Sequence, residues 1–167
     1  MLRSIICLAP NFFVIVQAVI DHETYWLDPT RTYQRGTLEN IYQPDYGLAL
    51  VLSDQTMDLT PITPKKVTSP TRSVSERFDL RDGLEAPVRY TVTTTYTNYN
   101  ADYFRNQLAS QSKADLQKSY LNYYANYYPT IQTDSEFKIE DDEVKNKITV
   151  TEYYSIPSIW ARHGVRP

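Results

Sequence analysis

The stretch Pro87–Thr97, PVRYTVTTTYT, constrains the fold of this chain more than any other. Val88, Tyr90, Val92, Thr94 and Tyr96 alternate with Arg89, Thr91, Thr93, Thr95 and Thr97. A period of two places one set on a core and the other towards solvent, which is a strand with one buried face. Such a strand needs partners, and the neighbouring sequence supplies them. VSERFDL, 74–80, puts Val74, Glu76, Phe78 and Leu80 on one side, an imperfect alternation expected to bring Phe78 and Leu80 into the core, and Asp82-Gly83 gives the turn between the two strands. EFKIE at 136–140 and KITVTEYYSI at 147–156 read as two more strands around the acidic turn DDEVKN.

Between these pairs the period changes to that of a helix. Asn98–Asn100 is an N-cap candidate, and over 101–128 Phe104, Leu108, Leu116, Tyr120 and Tyr124 recur at multiples of four, joined by Leu121. Ser112 and Asp115 have capping-box spacing, which allows a restart if the helix breaks near Ser110. Pro129 ends it. Residues 73–157 are therefore expected to form a β-β-α-β-β module, an antiparallel sheet covered by one long or broken helix. The five threonines of Thr91–Thr97 are read as a solvent-facing strand surface.

The first part of the chain is less regular. Residues 12–28 predict a β-hairpin, Phe13–Val19 and Thr24–Leu27 around a turn at Asp21-His22. Residues 29–46 are irregular, punctuated by Pro29, Gly36 and Pro44, and Gly47–Ser53 is a short apolar strand. TPITPKKVTSPTRS, with its three prolines, reads as a connector. The expected organisation is α+β: a first part over 1–60, a Pro/Ser/Thr linker over 61–72, the module over 73–157 and a tail over 158–167. Residues 1–18 have two readings. Arg3, the apolar body and Val16-Gln17-Ala18 fit a signal peptide, whereas FFVIVQAVI fits a buried strand entered through the Pro10-Asn11 loop.

Composition excludes some functions. The net charge of −3 lacks the basic excess of a nucleic-acid binder. No run of 18 or more apolar residues is present, so no integral membrane span is expected. Cys7 is the only cysteine, which rules out an internal disulfide. Nothing in the spacing of the residues calls for a cofactor or a metal. The acidic turn Glu140–Glu143 lacks the spacing and the glycine of a calcium loop and reads as a solvated hairpin.

VIVQAVIDHETYWLDPTR followed by GTLENIYQPDYGLALVLS resembles the end of the core domain of bacterial transglutaminase-like proteins, which have a papain-like fold and a Cys-His-Asp triad. The most specific elements are YWLDPT and YQPDYG. The stretch from Asn100 to Trp160 is similar to the segment that follows this core, so the resemblance covers roughly residues 11–160. It implies that the first part is the remnant of a papain-like core, with the bacterial periplasm or cell envelope as its compartment; if the N-terminus is only a truncated strand, the compartment is the cytoplasm.

Residue by residue the likeness is incomplete. Asp28 matches the triad acid. The family histidine belongs at the start of the preceding strand, where this chain has Phe13, and the asparagine before it falls on Phe12. The nucleophilic cysteine belongs on a helix well upstream, so Cys7 does not match it. A thiolate attacks and an imidazole carries the proton, whereas the aspartate only orients that imidazole. His22, at the far end of a strand from Phe13, is roughly 20 Å away from that position. His163 falls in the tail. Asp28 is thus expected to be a vestigial triad acid, and the reading frame to be a truncated or frameshifted copy of a longer ancestor.

Three functions follow as expectations. The first is a non-catalytic structural or interaction module, whose partner is the missing core domain or another envelope protein. The second is a binding module for envelope glycan or peptide that uses Tyr123 and Tyr127 of the tyrosine-rich run YLNYYANYYP. The third is a transglutaminase or peptidase half completed by a partner chain that brings the cysteine and histidine. The first part, without a helix to cover it, is expected to leave an apolar face of strand 13–19 open or packed on the module.

Overall fold

The computed structural model describes residues 2–7, 13–53, 56–63, 71–83, 85–157 and 159, with the backbone alone at 2–7 and 13. The chain divides into two compact units, Met1–Pro70 and Thr71–Pro167.

The first unit is one antiparallel sheet. Its strands are β1 (Leu2–Cys7), β2 (Phe13–Ile20), β3 (Glu23–Leu27), β4 (Leu48–Val51) and β5 (Thr60–Pro61), in the order β3-β2-β1-β4-β5. The predicted hairpin is present and slightly longer than expected. Asp21 and His22 both have positive φ, 50° and 68°, the twist that lets a two-residue turn match its strands. β1 is a strand that sequence reading did not distinguish from the apolar run leading into β2. It pairs with β2 on one side and β4 on the other.

Ile15, Trp26, Ala49, Val51 and Ile62 form a buried cluster on one face, with Tyr46 packed against it. The expectation that this unit cannot close a core therefore holds for one face only. No helix covers this face, as expected, but the irregular segment after β3 packs on it through Tyr46. On the other face Val14, Ile20 and Leu48 remain exposed. The expected linker begins with residues the sheet uses. Pro61 pairs with Leu48, and the buried Ile62 donates its N–H to the Gly47 carbonyl at 2.8 Å. Its other end, Arg72, already belongs to a strand. Residues 64–70 lie outside the described residues, as does the expected tail apart from Ile159.

The second unit has the expected β-β-α-β-β order with the helix broken. β6 (Arg72–Asp79) and β7 (Val88–Thr97) precede α1 (Tyr99–Ser110) and α2 (Lys113–Ala125), and β8 (Gln132–Asp142) and β9 (Lys147–Ile156) come after them. The sheet is antiparallel, in the order β6-β7-β9-β8. Gln111 is extended, and the Ser112 hydroxyl oxygen accepts the Asp115 N–H at 3.1 Å, so the capping box starts α2 as the spacing predicted. Asn98 caps α1 with its backbone, without a side-chain cap bond, at φ 53°.

The core lies between the even-numbered face of β7 and β9 and the two helices. One cluster holds Val88, Tyr90, Val92, Tyr124, Ile131, Tyr154 and Ile156. The other holds Ala101, Phe104, Leu116, Phe137, Ile148 and Val150. Each fully buried large side chain contributes about 1.5–3 kcal/mol relative to exposure. Three expectations need correction. Phe78 and Leu80 were expected in this core but are 36% and 41% exposed, because β6 is an edge strand and the helix layer stops short of it. Leu108 is only partly buried at the margin of the second cluster. Thr94 is buried on the core face, so the threonine surface consists of Thr91, Thr93, Thr95 and Thr97, each half-buried.

Candidate functional site

The chain leaves β3 at Leu27 into Asp28-Pro29, and the Asp28 carboxylate is taken up by its own turn. Oδ1 accepts the Thr30 N–H at 3.0 Å and the Thr30 hydroxyl at 2.6 Å, and Oδ2 accepts the Tyr46 hydroxyl at 2.9 Å. This is an Asx turn, in which a short carboxylate caps backbone two residues on. Partial burial raises the Asp28 pKa, but the two Thr30 bonds, the Tyr46 hydroxyl and the nearby Arg31 charge outweigh it, and the carboxyl is held below the usual aspartate value.

The position at which the resemblance expects the imidazole is Phe13. Val16 pairs with Leu27, so the backbone of β2 runs on to Phe13 past the end of β3. Phe13 itself pairs with Cys7. His22 is exposed in the β2–β3 turn, at the opposite end of the hairpin. His163 lies outside the described residues. Among the described residues the structure brings Asp28 together with Thr30 and Tyr46, and His22 stands apart from it.

The acidic turn is not simply solvated. Arg105 on α1, 6% exposed, reaches it with a bidentate pair: Nε to Asp141 Oδ2 at 2.9 Å and Nη2 to Oδ1 at 2.6 Å. Its Nη1 also donates to Asn146 Oδ1 at 2.6 Å and to the buried Asp102 at 3.3 Å. Asn146 sits at φ 46°, fully buried, and accepts the Asn98 N–H at its carbonyl. Arg105 thus fastens α1 to the β8–β9 hairpin. Sequence reading missed it, since only Asp102, one helical turn away, signals it locally. Asp142 is bound by Lys145, through its N–H at 3.0 Å and its ammonium at 3.2 Å. No group of three or more His, Cys, Asp or Glu with metal-holding geometry occurs among the described residues.

The tyrosine run divides by face. Tyr124 is buried, with its ring 5.3 Å from Tyr90 and 5.6 Å from Tyr154, and Tyr120 meets Phe137 edge-on. Tyr123 and Tyr127, on the flank as expected, are 57% and 64% exposed with ring centroids 5.6 Å apart. Near the buried Tyr124 and Tyr154 lies a feature that sequence reading did not single out. Glu152 on β9 is buried beside the tyrosines and accepts a hydrogen bond from the Tyr154 hydroxyl. Burial pushes its carboxyl above the ordinary glutamate value, and the Tyr154 bond and Arg72 offset only part of this. Burial, followed by the charges of Glu152 and Glu76, pushes the Tyr124 hydroxyl up to about 12. Glu152 alternates correctly for the core face, so its position was legible in the register, though its charge argued against burial.

Among the described residues no helix is long and apolar enough to cross a membrane. No family model, curated protein or solved structure matches the chain.

Proposed function

We propose that this chain is a non-catalytic structural and interaction module, derived from the end of a transglutaminase-like protein. The observation that supports it most is the engagement of Asp28. Both carboxylate oxygens are occupied by Thr30 and Tyr46, while the position where an imidazole would stand is Phe13. An aspartate in this state stabilises a turn and does no acyl chemistry, because the nucleophile and the proton carrier are other groups. The test is ammonia release from glutamine peptides together with amine incorporation. The expected result is no turnover above a heat-denatured control. Turnover that disappears on Cys7→Ala would overturn the proposal.

A second reading is favoured by the exposed Tyr123–Tyr127 pair. In it the second unit binds a glycan or peptide through the flank of α2. Aromatic rings with a wet hydroxyl edge are well suited to such contacts.

A further inference from the structure

The two edges of the second sheet are built differently. β8 is irregular, with register shifts between Thr133 and Ser135 and again between Ser135 and Lys138. Bulges of this kind discourage a further strand from pairing. β6 runs in unbroken register with β7 from Arg72 to Asp79 and has no strand on its other side among the described residues.

The inner face of β6 is also uncovered. Arg72, Val74, Glu76 and Phe78 stand opposite Tyr96, Thr94, Val92 and Tyr90. The β6 residues of this row are exposed, while Thr94, Val92 and Tyr90 are buried. Phe78 stacks on Tyr90 at 4.4 Å and meets Tyr128 edge-on at 5.8 Å. Tyr123 stands close enough to Glu76 and Arg72 to feel both charges. The buried Tyr90 hydroxyl lies beside the Glu76 carboxylate and the Tyr124 hydroxyl. The result is a shelf along an open edge, with the Arg72 cation at one end, apolar at Val74 and Phe78, acidic at Glu76 between them, and bordered by Tyr128.

We propose that β6 binds an extended peptide as a fifth strand of this sheet, and that the peptide carries a basic residue with an apolar residue two positions away on each side. Main-chain hydrogen bonds to the open edge hold the peptide, and every second side chain falls on the shelf beside Val74, Glu76 and Phe78. Glu76 sets the choice. A charge on the inner face of an edge repels strands that leave it unpaired, and it accepts one that brings the opposite charge. A second copy of the chain is a poorer occupant. Antiparallel self-pairing that keeps both inner faces on one side and overlaps all but one residue of β6 sets Glu76 either against itself or against Val74. This inference deepens the binding reading above and rests on it. It is independent of the acyl-transfer argument.

The test is fluorescence anisotropy of the full chain with a labelled peptide, Ser-Thr-Val-Thr-Lys-Thr-Val-Thr-Ser, and its counterpart with Glu in place of Lys. The lysine peptide should bind about tenfold more tightly, the combined effect of an attractive and a repulsive cross-strand pair. Glu76→Lys, a change at an exposed position, should reverse the preference. N-methylating one alternate set of peptide amides should abolish binding, and methylating the other set should leave it intact. Binding by neither peptide, or equal binding insensitive to both methylated sets, would overturn the inference. Peptide binding unaffected by Glu76→Lys would also overturn it, while leaving the general binding reading standing. Concentration-dependent dimerisation abolished by Glu76→Lys would overturn it in favour of a second copy.

Discussion

Replacing Arg105 by methionine tests the linkage between α1 and the β8–β9 hairpin. The guanidinium makes four hydrogen bonds, to Asp141 twice, to Asn146 and to Asp102. The Asp141 side chain is 32% exposed and regains water when the arginine is lost. Asp102 and Asn146 are 5% and 0% exposed, so water replaces the lost cation poorly there. Removing one partner of a buried ion pair costs about 3–5 kcal/mol, mainly from the charge left behind. Arg105→Met should therefore destabilise the second unit by about 3–4 kcal/mol, in the lower half of that range because Asp141 can rehydrate. Adding Asp102→Asn removes the stranded charge and should restore about half of the loss, a non-additivity that a double-mutant cycle reads directly. Hydrogen exchange of the β7 and β9 amides reports opening of this unit separately from the first. A loss under about 1 kcal/mol, typical of an exposed pair, would refute the reasoning, as would a double variant no more stable than Arg105→Met.

Two further outcomes follow from the same electrostatics. Burial raises the Glu152 carboxyl above its ordinary value of 4.5, so the folded state holds this proton more tightly than the unfolded chain does. Glu152 therefore weakens the fold progressively as pH rises from the unfolded value through the folded one. Glu152→Gln should be the more stable protein at pH 7 and lose that advantage in acid. Hydrogen exchange at both pH values checks this, and an advantage growing towards acid would reverse the sign. Asp28→Asn should cost about 1 kcal/mol, the net worth of an ordinary hydrogen bond. In urea denaturation followed by tryptophan fluorescence, a loss of several kcal/mol would make Asp28 the centre of a buried network instead.

The second unit was legible because its periods were clean. Val88–Tyr96 alternated, Lys147–Ile156 was bounded as observed, and Ser112 with Asp115 foretold the helix break. Sequence periodicity gives the direction of a side chain but not how far a covering layer extends, and for that reason Phe78 and Leu80 were placed in the core. Long-range polar contacts leave no periodic trace. Arg105 finds Asp141 across the fold, and only the three-dimensional register brings them together. In the first unit β1 went unseen because residues 1–18 also fit a signal peptide. Asp28 stood out through YWLDPT and Tyr46 lies in YQPDYG, yet neither motif shows by itself that the two side chains meet.

The most direct test of a non-catalytic chain is the rate of Cys7 alkylation by iodoacetamide as a function of pH, in the native protein and in Asp28→Asn. A triad thiolate is nucleophilic well below pH 7, and its reactivity depends on the acid that orients the imidazole. With Asp28 engaged by Thr30 and Tyr46, alkylation should be slow at pH 6 and follow the same pH profile in both proteins. Fast alkylation at pH 6 that slows in Asp28→Asn would contradict the non-catalytic reading.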